Sequence, residues 1–222
     1  MIIGISGYVG NCLTGIGRVL INILSELAKQ YPEDKYVLFR NFDFKEYDNL
    51  TQYQNIEIVD VPYTKESGLK NILWHQWLFQ KLLKKYKCDI AYIPNFTLLL
   101  WKTIPTIVTI HDLIEYNVPD KFSKARMFYR KQVCDPLMAK KSNHILTVSK
   151  SSYKDIISYL GVKPSKLTLT LNATDRNVFK KYSKEKIIPA IKKYNLEYKK
   201  YLLFVGTIDF PGKNIKTITI VR

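Results

Sequence analysis

Arginine is scarce in this otherwise basic chain. Only six of the 35 Lys and Arg residues are Arg (Arg18, Arg40, Arg126, Arg130, Arg176 and Arg222), against 19 Asp and Glu, for a formal net charge of +16. Arginine makes most bidentate contacts to bases and phosphates, and no nucleic-acid-binding motif accompanies the charge. Nucleic acid is therefore not expected as a partner. The three cysteines, Cys12, Cys88 and Cys134, are an odd number without metal-ligand spacing, and they read as reduced thiols of a cytoplasmic protein. His75, His111 and His144 lie far apart, so no metal site is indicated. No apolar run approaches the ~18 residues that a membrane span needs. The start, Met1-Ile2-Ile3-Gly4-Ile5, lacks the basic region of a signal peptide and predicts a buried strand.

Hydrophobic residues make up 46% of the 222, enough for a packed core. Short β-branched runs alternate with longer amphipathic stretches, the pattern of an α/β fold with a mostly parallel sheet. Strands are predicted at Ile2–Ser6, Tyr36–Phe39, Ile56–Val61, Ile90–Ile93, Thr106–Ile110, His144–Val148, Lys166–Leu171 and Tyr201–Val205. Helices are predicted at Gly17–Gln30, Leu69–Tyr86, Lys124–Ala139, Ser151–Leu160 and Lys184–Tyr194. Trp74, His75 and Trp77 suggest either a sugar platform or core and interface packing, and packing is the commoner use. The polar stretch 172–183 marks a boundary. A first domain is expected over residues 1–175, followed at 176–222 by a linker and the incomplete beginning of a second α/β domain. The charge divides near the same place. Residues 1–139 carry 17 basic and 14 acidic residues, whereas residues 140–222 carry 18 and 5.

Four segments at strand ends have residue types suited to chemistry. Thr14-Gly15-Ile16-Gly17-Arg18 could bring backbone N–H groups to an anion at a helix start. It is no dinucleotide fingerprint, because position 20 is Leu, and no P-loop, because no Gly-Lys-Ser/Thr follows. His111-Asp112 closes the apolar strand Thr106–Ile110, and in open α/β sheets ligands collect at such ends. Neighbouring residues there point apart, so a mutual His–Asp pair is not assumed. Ser149-Lys150-Ser151-Ser152 opens a helix and suits N-capping; without Gly-x-Ser-x-Gly it is no hydrolase elbow. Last, Gly206-Thr207-Ile208-Asp209-Phe210-Pro211-Gly212-Lys213-Asn214 ends in a lysine able to hold a phosphate.

In order and spacing these segments resemble the retaining, GT-B-type glycosyltransferases of family 4. Ile110-His111-Asp112-Leu113 looks like the family's central segment. Phe128-Tyr129-Arg130 followed by His144–Ser152 resembles the helix and strand after it. Leu203-Phe204-Val205-Gly206-Thr207 with Pro211, Lys213 and Asn214 is similar to the opening of the second domain. The resemblance implies a Rossmann-like open parallel sheet with helices on both faces. It also implies transfer of a sugar from a nucleotide diphosphate sugar to a saccharide or lipid-linked acceptor, in polysaccharide or glycoconjugate synthesis. Under it, His111 would hydrogen-bond the transferred sugar as the catalytic residue. Gly15, Gly17, Arg18, Asp112 and Ser149 would line the substrate cleft, and Lys213 would neutralise the leaving diphosphate. No cofactor is implied, and no metal-binding Asp-x-Asp occurs.

The departures fall in the second domain. The family's paired glutamates, eight apart, are missing: after Asn172 only Glu185 and Glu197 occur, twelve apart. Thr207 and Gly212 stand where many members carry basic residues. The chain alone is therefore expected to bind donor weakly and not to turn over. The alternative is a non-catalytic basic module on an anionic membrane surface or phosphorylated acceptor, through pairs such as Lys140-Lys141, Lys180-Lys181, Lys192-Lys193 and Lys199-Lys200. Either reading places the chain in the cytoplasm, with the inner membrane face as the site of peripheral attachment.

Overall fold

Side-chain alternation along the strands builds a two-sided sheet. In β2 (Lys35–Arg40), Val37 and Phe39 enter one apolar cluster while Tyr36 and Leu38 enter another. β1 (Ile2–Gly7) directs Ile3 and Ile5 to the second cluster, and β4 (Ile90–Ile93) divides Ala91 and Ile93 from Tyr92. This is the period of two expected of a strand covered on both faces. With β3 (Ile56–Asp60), β5 (Thr106–Thr109), β6 (His144–Thr147) and β7 (Leu167–Leu169) they form one sheet of order β3-β2-β1-β4-β5-β6-β7, parallel throughout. The computed structural model describes residues 1–9, 14–61, 68–119, 121–174, 179–206 and 213. Cys12, Thr207–Gly212 and Asn214 lie outside the described residues.

The chain reverses its direction across the sheet after β3. Helix α1 (Gly15–Gln30) packs Leu20, Ile21, Leu24 and Ala28 on the second cluster. The helical segments that follow β3 pack on the first. Right-handed crossovers running in opposite directions from β1 require opposite faces, which leaves a switch point between β1 and β4.

Two of the sequence-predicted helices are continuous but contain wider turns. The first comprises α2 (Gly68–Leu73), a π-turn (Trp74–Leu78) and α3 (Phe79–Lys85). At its π-turn three successive residues, Trp74, His75 and Gln76, are all buried. The second comprises α5 (Lys124–Phe128), a π-turn (Tyr129–Cys134) and α6 (Asp135–Lys141). Between them lies α4 (Ile114–Asn117), and α7 (Lys150–Leu160) ends at Gly161 in the left-handed conformation that glycine adopts without strain (φ 62°).

The link from β4 to β5 over residues 94–105 contains no helix. Two buried glutamines of the first long helix hold it instead. Gln76 donates to Leu98 O (2.7 Å) and accepts from Leu100 N (2.9 Å), and Gln80 accepts from Thr103 N (3.0 Å). Each amide satisfies loop backbone groups that a helix would have satisfied internally.

Contacts divide the chain into two units, Met1–Leu171 and Asn172–Arg222. The second contains α8 (Lys184–Lys192), with Ile191 buried. The expected strand at Tyr201–Val205 is a correction: those residues have no regular structure, and Leu202 and Val205 are 89% and 85% exposed. A strand needs a ladder partner and cover for its apolar faces, and these residues have neither among the described ones.

Gly4 sits where β1 meets α3. A Cβ there would lie 2.3 Å from Leu83 Cδ2 and 2.8 Å from Cys88 Sγ. Gly4→Ala is expected to destabilise the chain by about 1–3 kcal/mol through overpacking, measured by urea unfolding.

Candidate functional site

Thr14-Gly15-Ile16-Gly17-Arg18 forms the N-cap and first turn of α1. Thr14 is the N-cap of α1, and Arg18 N bonds Thr14 O at 3.1 Å. The N–H groups of Gly15, Ile16 and Gly17 precede that first intrahelical bond and have no helical acceptor. No acid occupies this turn, so the helix itself supplies no carboxylate to offset the positive end of its dipole. Gly17 is buried, Gly15 is exposed, and Arg18 is 65% exposed, 3.7 Å from Glu46.

Beneath β1 lies a fully satisfied polar network. Asn71 O accepts from His75 Nδ1 (2.9 Å), because a carbonyl cannot donate. His75 Nε2 then accepts from Ser6 Oγ (2.9 Å), which itself accepts from Trp74 Nε1 (3.2 Å) and Tyr8 N (3.4 Å). Complete burial pushes the His75 pKa down to about 4, so the ring is neutral near pH 7. Trp74 and His75 are thus core residues, and of the suggested aromatic platform only Trp77 faces outward, 58% exposed.

His111 follows β5 and is half-buried. Its Nε2 lies 2.9 Å from Pro94 O, so Nε2 carries a proton and donates it to that carbonyl. Asp112 turns away, accepting from Ile114 N at 3.3 Å as it opens α4. The two side chains do not pair. Ser149 caps α7, accepting from Ser152 N at 3.0 Å, and Ser152 Oγ donates to His111 O at 2.8 Å. One hydroxyl therefore joins the start of α7 to the His111 backbone. Gly15, Gly17 and Arg18 after β1, His111 and Asp112 after β5, and Ser149 after β6 all lie along the carboxyl edge of one sheet. Lys213 is exposed and belongs to the second unit.

The support beneath His111 was not foreseen from sequence. Glu115 on α4 is completely buried and contacts Arg130 Nε at 2.7 Å. The Arg130 guanidinium lies 3.8 Å from the centre of the Phe96 ring and 5.4 Å from that of Phe122. Asp135, 1% exposed, meets the same cluster. Burial above all, with the neighbouring Glu115 carboxyl, holds the Asp135 carboxyl well above the ordinary carboxylate range. Tyr116 completes the brace: its hydroxyl donates to Lys131 O (3.0 Å) and its ring stacks on Tyr159 of α7 at 4.8 Å. Cys134, buried beside Asp135, has its thiol pushed up to about 12 by burial and is inert as a nucleophile. Among the described residues no group of three His, Cys, Asp or Glu is placed to hold a metal ion.

An open, doubly wound sheet with its polar groups gathered at the carboxyl edge is the architecture of one Rossmann-like half of a GT-B glycosyltransferase. The Glycosyltransferase Family 4 profile matches residues 13–178, and the chain belongs to that family. It is 28% identical to the O-antigen chain mannosyltransferase B of Escherichia coli, over 92% of this chain and 55% of the relative. Among solved structures, a glycosyltransferase from Rickettsia africae superposes with a TM-score of 0.53 at 11% identity, over 89% of this chain and 50% of that one. The lipopolysaccharide outer core galactosyltransferase WaaB gives 0.49 at 15% identity, over 79% and 46%. The chain thus spans about half the length of the relatives it matches.

The acid cluster generates a signed expectation. An acid whose pKa is raised on folding binds more protons in the native state, so its contribution is complete below about pH 4 and is lost as pH rises through neutrality. Asp135→Asn is expected to flatten the fall in unfolding free energy between mildly acidic and mildly alkaline pH, measured by urea titration. Arg130→Met should cost about 3–5 kcal/mol near neutrality. It should cost less under acidic conditions, where the carboxyls left behind are protonated.

Proposed function

We propose that this chain forms the acceptor-side half of an enzyme that transfers a sugar from a nucleotide diphosphate sugar to a saccharide or lipid-linked acceptor, retaining anomeric configuration. The observation that carries the reading is the carboxyl edge of the sheet in a member of Glycosyltransferase Family 4. There, His111, its Nε2 turned to Pro94 O, stands beside the capped start of α7. In this reading His111 Nδ1 accepts a hydroxyl proton of the transferred sugar and fixes the ring at the reaction centre. The first-turn N–H groups of Gly15 and Gly17, which have no acceptor within the helix, meet phosphate or acceptor hydroxyls together with Arg18 and Asp112. Lys213 stabilises charge building on the leaving diphosphate, a contribution larger in the transition state than in the ground state. The E. coli relative is named a mannosyltransferase, which makes a nucleotide diphosphate mannose the first donor to try.

Two measurements test this. Joined to a complete donor-binding domain, the chain is expected to transfer sugar, and His111→Ala is expected to lower kcat about a hundredfold without a matching change in unfolding midpoint. An unchanged kcat would remove His111 from the reaction. The 222-residue chain by itself is expected to show no micromolar affinity for nucleotide diphosphate sugars in calorimetric titration.

A further inference from the structure

A groove of about 750 Å³ opens at the amino edge of the sheet, between α6 and the turn that leaves α7. Ala139, Leu160 and Val162 give it an apolar side, and Lys140, Lys163 and Lys166 give it cations. A fourth lysine joins them from the link before β5. Lys102 bonds the side-chain oxygen of Asn143, a lining residue whose same oxygen accepts from Thr106 N at 2.9 Å. Lys102 precedes β5, Asn143 precedes β6 and Lys166 precedes β7. The length of the strands therefore separates this groove from His111 at the carboxyl edge.

The cations are only partly explained by the fold. Lys166 donates to Ala139 O (2.7 Å) and Lys140 O (3.1 Å), and so satisfies carbonyls at the end of α6. Lys140 and Lys163 are exposed, and none of the four lysines forms an ion pair among the described residues. Residues 136–167 hold six lysines and one acid, Asp155, which accepts from Asn117 of α4 at 3.1 Å. Burial lowers the Lys102 pKa, and burial together with the Lys102 charge lowers that of Lys166. Two half-buried ammonium groups thus repel one another with no carboxylate between them, a conflict that a bound anion relieves.

The shape selects the kind of anion. A concave site receives a small molecule rather than a flat surface. Lysine ammonium groups act as compact charges for phosphate, and the apolar side has room for an organic group attached to it. We propose that the groove binds a phosphate monoester, its phosphate among Lys102, Lys140 and Lys163 and its organic part against Ala139, Leu160 and Val162. The site lies apart from the carboxyl edge and does not depend on the sugar-transfer reading.

The test is titration of the full chain with phenyl phosphate and with inorganic phosphate, followed by calorimetry and by amide NMR shifts. Both are expected to bind and to shift the amides of Asn143 and residues 161–166, phenyl phosphate about threefold more tightly. Lys102→Gln/Lys140→Gln/Lys163→Gln should weaken both about tenfold, with Lys166 left in place to hold the end of α6. Should that variant melt early in thermal unfolding, Lys140→Gln/Lys163→Gln, which alters exposed positions alone, gives the same reading. Lys192→Glu/Lys193→Glu should change nothing. Near about pH 9, buffers of unlike ionisation enthalpy should reveal net proton uptake on binding, because the anion returns the lowered lysines toward their ordinary range. Absence of wild-type binding, equal affinity for the two phosphates, or affinity unchanged in the folded lysine variants would overturn the proposal. So would shifts confined to other amides, or loss of binding in Lys192→Glu/Lys193→Glu.

Discussion

The loop that carries His111 is held by a guanidinium placed among two carboxyls and two phenyl rings. Arg130 neutralises Glu115, and the rings of Phe96 and Phe122 receive its flat cation. Glu115 belongs to α4, which begins two residues after Asp112, so the pair fixes the short helix on which the His111-Asp112 turn ends. Phe96 belongs to the link whose Pro94 carbonyl orients the imidazole. Backbone and ring are therefore held by opposite sides of one buried cluster. A buried ion pair is weak evidence for net stability, because desolvation offsets much of its attraction. Its effect here is geometric. An apolar replacement would fill the same space without dictating where α4 starts.

The same logic explains the two π-turns. Each falls where a long helix must place polar groups inside: His75 and Gln76 in the first, Arg130 and the approach to Asp135 in the second. A regular 3.6-residue repeat presents one stripe to the sheet. The wider turn redistributes side chains so that Trp74, His75 and Gln76 all face inward while Trp77 emerges. The neutral His75, closed by Ser6 and Asn71, shows that such burial remains inexpensive when every donor and acceptor is matched.

These features mark the limit of what pattern alone conveys. Period-two alternation in Tyr36–Phe39 and the apolar run Thr106–Ile110 depend on local chemistry, and both emerge as strands in the parallel sheet. The capping role of Ser149 is likewise local, set by an oxygen three residues before a free N–H. Glu115 and Asp135 are twenty positions apart and look like ordinary surface acids in sequence. Their meeting is a property of the crossover between β5 and β6. The run Tyr201–Val205 fails in the opposite sense: its composition suits a strand, but strand formation requires a neighbour. The helix start at Thr14–Gly17 extends three residues earlier than the apolar periodicity marks, because Thr14 already supplies the first intrahelical carbonyl.

Net charge proves a poor guide to where charge can act. The last third of the chain is the most basic, while the first 139 residues come close to balance because acids cluster near α1, β2 and β3. Attraction to an anionic surface depends on the field over a patch within about a Debye length, roughly 8–10 Å at physiological salt. A balanced total is therefore compatible with a strongly positive face. Residues 68–103 provide one, since their lysines are not interleaved with acids and Asp89 is bonded to backbone. Apolar contact and charge reinforce one another only where they share a surface, so the position of each lysine beside exposed apolar side chains matters more than the total.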